Sequence, residues 1–289
     1  MTSVIKVKGL TKSYKEKVIL NNLDLDIEKG SIVGLLGKNG AGKSTLIHSI
    51  LGINNYQQGE IKVYQEDSQK LSAEVKEKIG FVAQTPDEFN WMMVSELLQF
   101  KAVFYKKWNH DWVERYIDKW QLNPKQKVGD LSQGQLQRLA IIMALAHEPE
   151  LLIFDEPVSA LDPAGRRDFL KELIEISSEG NRTILFSTHI TSDLERVASH
   201  IAILGEGEIK LYDSLDNVKD NVRTLVINSV KESVSKLKVP YEIKRNDDTR
   251  SLKITVSKID REWLASVEQQ GIEVKEYPLS LEDTFLELT

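Results

Sequence analysis

The spacing of apolar positions changes period several times along the chain. Val4–Val7 and Val18–Ile27 alternate and are rich in β-branched residues, which predicts two antiparallel strands joined by a turn around Tyr14–Lys17. Ile32–Leu36 is an uninterrupted apolar run, the pattern of a central strand buried on both faces. Leu151–Phe154, Thr183–Ser187 and Ile201–Leu204 repeat that pattern. Between these runs the period becomes helical. The stretch "STLIHSIL" reads as a helix with Gly52 just past its end as a C-terminal stop. Further helices are predicted over Ser95–Tyr105 and Asp111–Trp120, with "NHD" between them as the break, and over Asp168–Glu179. A stronger helix begins at Ser132. Ser132 and Gln135 have capping-box spacing, and Leu136, Leu139, Ala140, Met143 and Ala144 then trace one apolar face. Buried strands alternating with helices predict an α/β core with a mostly parallel sheet.

Composition shifts near Asp213–Asn221. Beyond it the pattern predicts strand Val222–Asn228, helix Glu232–Leu237, strands Tyr241–Lys244 and Ser251–Val256, helix Arg261–Gln270, strand Ile272–Tyr277 and a last helix Leu281–Leu288. That βαββαβ order is ferredoxin-like and predicts a small α+β domain over 221–289, after a larger one over 1–220 whose helical subdomain covers about 86–148.

Charge and cysteine content then exclude some functions. The 289 residues carry a net charge of −6, so the basic footprint of a nucleic-acid-binding protein is missing and no nucleic-acid partner is expected. With no cysteine, disulfides, Cys-based zinc sites and thiol chemistry are excluded. The N-terminus lacks the pattern of a signal peptide. The longest apolar run, Leu139–Ala146, is far short of the ~20 residues of a membrane span and reads as a buried helix, so a membrane role would run through a partner.

The candidate chemistry begins at "GKNGAGKST", Gly37–Thr45. It fits G-x-x-x-x-G-K-[ST] and lies between a predicted strand and a predicted helix, the context a phosphate-binding P-loop needs. Gly37, Asn39, Gly40, Ala41 and Gly42 can wrap their backbone N–H groups around phosphate oxygens, and the opening helix adds its partial positive end. Lys43 is expected to reach the β and γ phosphates, with Ser44 on Mg²⁺ and Thr45 beside it in the loop. The ligand is therefore a nucleoside triphosphate with Mg²⁺. Downstream, "LLIFDEP" ends an apolar strand in Asp155 and Glu156. Asp155 can hold the Mg²⁺ shell, and Glu156 can polarise an attacking water.

"LSQGQ" (Leu131–Gln135) lies just before that strand, and "SALD" (Ser159–Asp162) follows it. With these motifs the sequence resembles the ATP-binding cassette (ABC) ATPases, over nearly three-quarters of the chain from Val4 to Asp213. Six motifs stand in the family's order, with Gln133 where the signature usually has glycine. The resemblance implies a P-loop core with an N-terminal antiparallel β-subdomain and a helical subdomain. It implies that Tyr14 stacks on adenine, that Gln84 touches Mg²⁺ and the attacking water, and that His189 holds the γ-phosphate. It also implies two subunits facing head to tail. Ser132, Gln133, Gly134 and Gln135 of one subunit would cover the ATP of the other, near the Asp162 turn. A chain with one P-loop needs a second ATP-binding subunit, identical or similar. Relatives of this layout mostly drive a separate transmembrane permease from the cytoplasmic face of the membrane.

Three further stretches bear on partners. Trp91, Met92 and Met93 follow Gln84 where a permease helix would dock, and methionine-rich surfaces adapt to partner helices. Phe104, Trp108, Trp112, Tyr116 and Trp120 recur every four residues and read as packing of the helical subdomain. The ending "SLEDTFLELT" and the segment "FYKKW" are similar to bacterial drug- and peptide-export ATPases, which favours export of a drug, peptide or lipid-like substrate. The alternative is a soluble or sensing cassette ATPase coupled to signalling or to a ribosome or nucleic acid.

Overall fold

The computed structural model describes residues 2–84, 89–158, 161–178, 182–227, 237–248 and 251–289. The predicted opening hairpin is present as β1 (Ser3–Tyr14) and β2 (Lys17–Glu28), paired antiparallel from Tyr14↔Lys17 at the turn to Ser3↔Glu28. β3 (Ile32–Leu36) leads into α1 (Lys43–Ile50), and Gly52 stops that helix with φ +68°. β4 (Gln58–Val63) and β5 (Glu66–Asp67) complete a sheet of order β2-β1-β4-β5. α2 (Ala73–Glu77) and β6 (Ile79–Val82) follow.

The chain then turns helical, through α3 (Val94–Ala102), α4 (His110–Lys119) and α5 (Gln133–Leu145). α3 stops short of Tyr105, its predicted end, for a tertiary reason. The Tyr105 ring stacks on buried His147 at 4.0 Å, and the Asn109 N–H donates to Ala146 O at 2.7 Å, so the backbone leaves the helix to reach the end of α5. Asn109 then caps α4 by accepting from the Trp112 N–H at 2.9 Å. Trp112, Tyr116 and Trp120 stack along α4, while Phe104 stays exposed. The Ser132–Gln135 capping box forms as predicted.

β7 (Leu151–Phe154), α6 (Pro163–Ser178), β8 (Thr183–Thr188), α7 (Thr191–Val197), β9 (His200–Gly205) and β10 (Glu208–Ser214) finish the core. α6 begins before the predicted Asp168. Pro163 suits the first helical position, and the Asp162 carboxylate accepts the Gly165 N–H at 2.7 Å. The central sheet has the order β10-β9-β3-β8-β7-β6 and is parallel except for the β10 edge. The carboxyl ends of β3, β8, β7 and β6 therefore lie side by side. Alternate residues of its strands feed two cores. Leu35, Leu151 and Ile153 pack with the N-terminal sheet and α1, whereas Leu36, Leu152 and Phe154 pack with α5, α6 and α7.

α8 (Leu215–Asn221) precedes the last segment, β11 (Arg223–Ile227), β12 (Glu242–Asp248), β13 (Ser251–Val256), α9 (Arg261–Gln269), β14 (Val274–Pro278) and α10 (Leu281–Leu288). Its sheet, β12-β13-β11-β14, is antiparallel throughout, the strand order of a split βαβ pair. The helix expected over 232–237 lies, Leu237 apart, outside the described residues. α10 does not stay with this sheet alone. Leu281, Phe285 and Leu288 join the buried cluster of Leu194 and Val197 on α7 and of Ile201 and Ile203 on β9. Among the described residues no helix is long and apolar enough to cross a membrane.

Because the Phe285 ring is 7 % exposed and seated in the main core, Phe285→Ala is expected to destabilise the whole protein by ~3–5 kcal/mol. The drop should appear as one cooperative shift of the urea midpoint rather than as separate melting of 221–289.

Candidate functional site

Loop geometry at the end of β3 is set by glycine. Gly42 has φ +108° and a side chain there would meet Leu20 at 2.9 Å, so only glycine lets the loop close over β2. Gly37 is crowded by the carbonyl of Leu204, at 2.9 Å from where a Cβ would stand. The Gly37 N–H donates to Thr188 O at 3.3 Å, which ties the loop to the end of β8. Gly42 as N-cap supplies no side-chain hydrogen bond, and the first turn of α1 has no acidic residue. The first-turn N–H groups thus present an uncompensated partial positive charge.

Lys43 is drawn into this loop. Its ammonium donates to Gly37 O at 2.8 Å and Lys38 O at 3.2 Å, and pairs with Glu156 Oε1 at 2.9 Å. The two side chains are only 4 % and 11 % exposed, so each charge depends on the other for most of its solvation. Glu156 sits at φ +47°, a left-handed conformation that costs a non-glycine residue ~1–2 kcal/mol. It is held there by its N–H, which donates to Ser187 Oγ at 2.8 Å. Ser187 Oγ in turn donates to Asp155 Oδ1 at 2.7 Å, and Asp155 is 2 % exposed. Gln84 Nε2 donates to Glu156 Oε2 at 3.3 Å, and His189 Nδ1 lies 3.7 Å from the same oxygen.

Five side chains from three strand ends and one helix start therefore gather around Glu156: Lys43, Gln84, Asp155, Ser187 and His189. The arrangement fits a triphosphate, with an ammonium and a bare helix N-terminus on one side and a carboxylate able to take a proton on the other. Ser44 on α1 and buried Asp155 supply the hydroxyl and carboxylate that Mg²⁺ prefers.

The remaining predicted residues stand apart from this cluster. Tyr14 ends β1, half exposed. Its hydroxyl accepts from Asn54 Nδ2 at 2.9 Å, and the Lys12 ammonium lies 4.6 Å from its ring centre. Ser132, Gln133, Gly134 and Gln135 form the solvent-facing start of α5, and Gly134 approaches Leu161 of the Asp162 turn. Of that turn, residues 159–160 lie outside the described residues. Trp91 and Met93 are exposed, whereas Met92 packs on the helical subdomain.

The family model described as ABC transporter matches residues 20–159. The chain is 34% identical over 77% of its length to the bacitracin transport ATP-binding protein BcrA of Bacillus licheniformis, covering 74% of that protein. The chain belongs to the ATP-binding subunits of ABC transporters. This ABC ATPase is also 29% identical, over 99% of its length, to the uncharacterized ABC transporter ATP-binding protein YdbJ of Bacillus subtilis (strain 168), covering 95% of it. Among solved structures it resembles the dimeric bacterial ABC transporter cassette MJ0796, with a TM-score of 0.66 and 27% identity over 73% of this chain and 98% of that one. The same cassette is known in a post-hydrolysis state bound to ADP and Pi. The chain is thus an ATP-binding ATPase with a P-loop α/β fold.

Ser187 was not singled out by the sequence reasoning, though a signal was present. A hydroxyl pair, Ser187–Thr188, interrupts an otherwise apolar buried strand just before His189. Ser187→Ala is expected to lower stability by ~1–3 kcal/mol, because it strips Asp155 and the Glu156 N–H of one shared partner. The loss should be read from urea unfolding, and it should be accompanied by roughly tenfold slower ATP hydrolysis as Glu156 loses its placement.

Proposed function

We propose that this subunit binds ATP with Mg²⁺, pairs head to tail with a second cassette, and drives a separate permease that exports an amphipathic peptide or drug-like molecule. The observation that carries the reading is the meeting of Lys43, Gln84 and His189 on one carboxylate, Glu156.

The N–H groups of the loop and of the first turn of α1 bind the phosphates, and Lys43 turns from Glu156 to the β and γ oxygens. Ser44 and Asp155 would hold Mg²⁺, which would offset charge on the phosphate oxygens. Glu156, released from Lys43, accepts a proton from the attacking water, help worth ~10²–10⁴-fold. Gln84 orients that water, and His189 donates to the γ-phosphate. Tyr14 stacks on the adenine, an interaction worth ~0.5–1.5 kcal/mol. Ser132, Gln133, Gly134 and Gln135 close over the partner's nucleotide, with Asp162 at the same seam. The protein sits on the cytoplasmic face of the membrane through its permease.

Two features support the permease and the direction. Trp91 is 73 % exposed and lies beside exposed Met93, an apolar surface close in sequence to Gln84. Phe89, Phe100 and Phe104 continue it, with ring centres 5.3 and 5.2 Å apart. Export of a peptide rests on the likeness to BcrA, whose name assigns it to bacitracin transport.

Glu156→Gln should keep ATP binding and slow hydrolysis at least ~100-fold, so the variant stalls as a closed dimer. Captured from detergent-solubilised native membranes with ATP and Mg²⁺, it should bring down a polytopic membrane protein. Recovery of ribosomes or nucleic acid in its place would overturn the transporter reading. Trp91→Ala should retain the hydrolysis of the isolated chain and lose the membrane partner in the same capture.

A further inference from the structure

Asp193 is a buried acid that the reading above leaves without a role. It lies in the first turn of α7 and is 4 % exposed, yet its Oδ2 has no hydrogen-bond partner. Burial pushes its pKa up, and the charges of Arg166, Arg196 and His189 oppose that rise. Arg166 has the complementary defect, because its Nε is buried and also lacks a partner. A buried acceptor and a buried donor left unmade are each costly, and native structures seldom keep such groups without a use.

The positions of the two residues suggest that use. Arg166 lies on α6, and its N–H donates to Asp162 O at 2.9 Å, so it belongs to the turn of helix that Asp162 starts. Asp193, in the first turn of α7, lies four residues after His189, whose Nδ1 is 3.7 Å from Glu156. α6 and α7 are packed together through Phe169, Leu170 and Leu173 against Leu194 and Val197. Arg166 Nε is thus an unmade donor on one of these helices, and Asp193 Oδ2 an unmade acceptor on the other.

We propose that Asp193 is a positioning residue for ATP hydrolysis. In the closed site its free carboxylate oxygen accepts from Arg166, and the bond locks the segment carrying His189 to the helix that begins at Asp162. The proposal rests on the reading of His189 as a γ-phosphate ligand. An open pair here leaves His189 loosely placed, and a made pair fixes it. Hydrolysis thereby responds to the Asp162 turn, the part of the chain nearest the signature helix through Leu161 and Gly134.

The test compares Asp193→Asn, Arg166→Gln, the double variant and His189→Ala in the full-length chain. Asp193→Asn removes the charge and keeps the shape, so it should melt no earlier than the parent, since an unpaired buried carboxylate is itself a cost. Its kcat should fall about tenfold, the size of one charge-assisted hydrogen bond in the transition state, with KM for ATP within about twofold. Arg166→Gln should do the same, and the double variant should lose no more than either single one. Parental kcat in Asp193→Asn, or losses that multiply in the double variant, would overturn the proposal while leaving His189→Ala inactive. An earlier melt with weakened ATP binding would assign Asp193 to folding and overturn it as well. A fully active His189→Ala chain would remove the reading on which the proposal stands.

Discussion

Lys43 is a cation buried at the mouth of a parallel sheet, and it has to be answered by negative charge. The glycines of its loop bring two carbonyls to it, and Glu156 supplies a full charge at 2.9 Å. An ammonium left alone at 4 % exposure would pay a desolvation penalty of several kcal/mol. The left-handed backbone at Glu156, the Ser187 bridge and the tie from Gly37 to β8 all serve to place that one answering carboxylate. In the mechanism we propose, the same carboxylate becomes available for water once a triphosphate takes over the ammonium, so that binding and chemistry compete for one cation.

Surrounding architecture turns this local competition into something a partner can feel. Gln84 and His189 reach Glu156 from opposite neighbours of β7 in the sheet, one after β6 and the other after β8. In sequence, Gln84 precedes exposed Trp91 and Met93, and His189 precedes α7. α7 in turn carries the terminal helix α10 on its apolar face. The segment 221–289 is therefore connected to the nucleotide site through packed side chains. Its own sheet and α9 form a separate small core of Leu225, Ile227, Leu252, Ile254 and Val256.

Much of the site was legible because its residues are consecutive. The loop from Gly37 to Thr45, the Asp155–Glu156 pair and the Ser132–Gln135 cap are short-range patterns, and short-range patterns dictate backbone conformation directly. The central strands were also legible, since burial on both faces leaves an unbroken apolar run. Where helix ends depended on distant partners the pattern misled. α3 stops early because Tyr105 has to reach His147, and α6 starts early because Asp162 and Pro163 begin it. The strands β4, β5, β6 and β10 and the short helices α2, α7 and α8 carried too little periodicity to stand out.

By itself the sequence determined the phosphate loop, the acid pair, the alternation of strand and helix, and the succession of strands, α9 and α10 in the described part of the last segment. Each follows from residue type at fixed spacing. Only the tertiary structure decided that Gln84, Ser187 and His189 converge on Glu156, because those residues are separated by up to 105 positions and meet through the parallel order of β6, β7 and β8. It also decided that α10 closes on the ATPase core and that Asp193 Oδ2 and Arg166 Nε are buried without partners. Spacing along a chain sets local geometry, but which strand lies beside which is chosen by the packing of whole apolar faces, and that choice brings remote polar groups together.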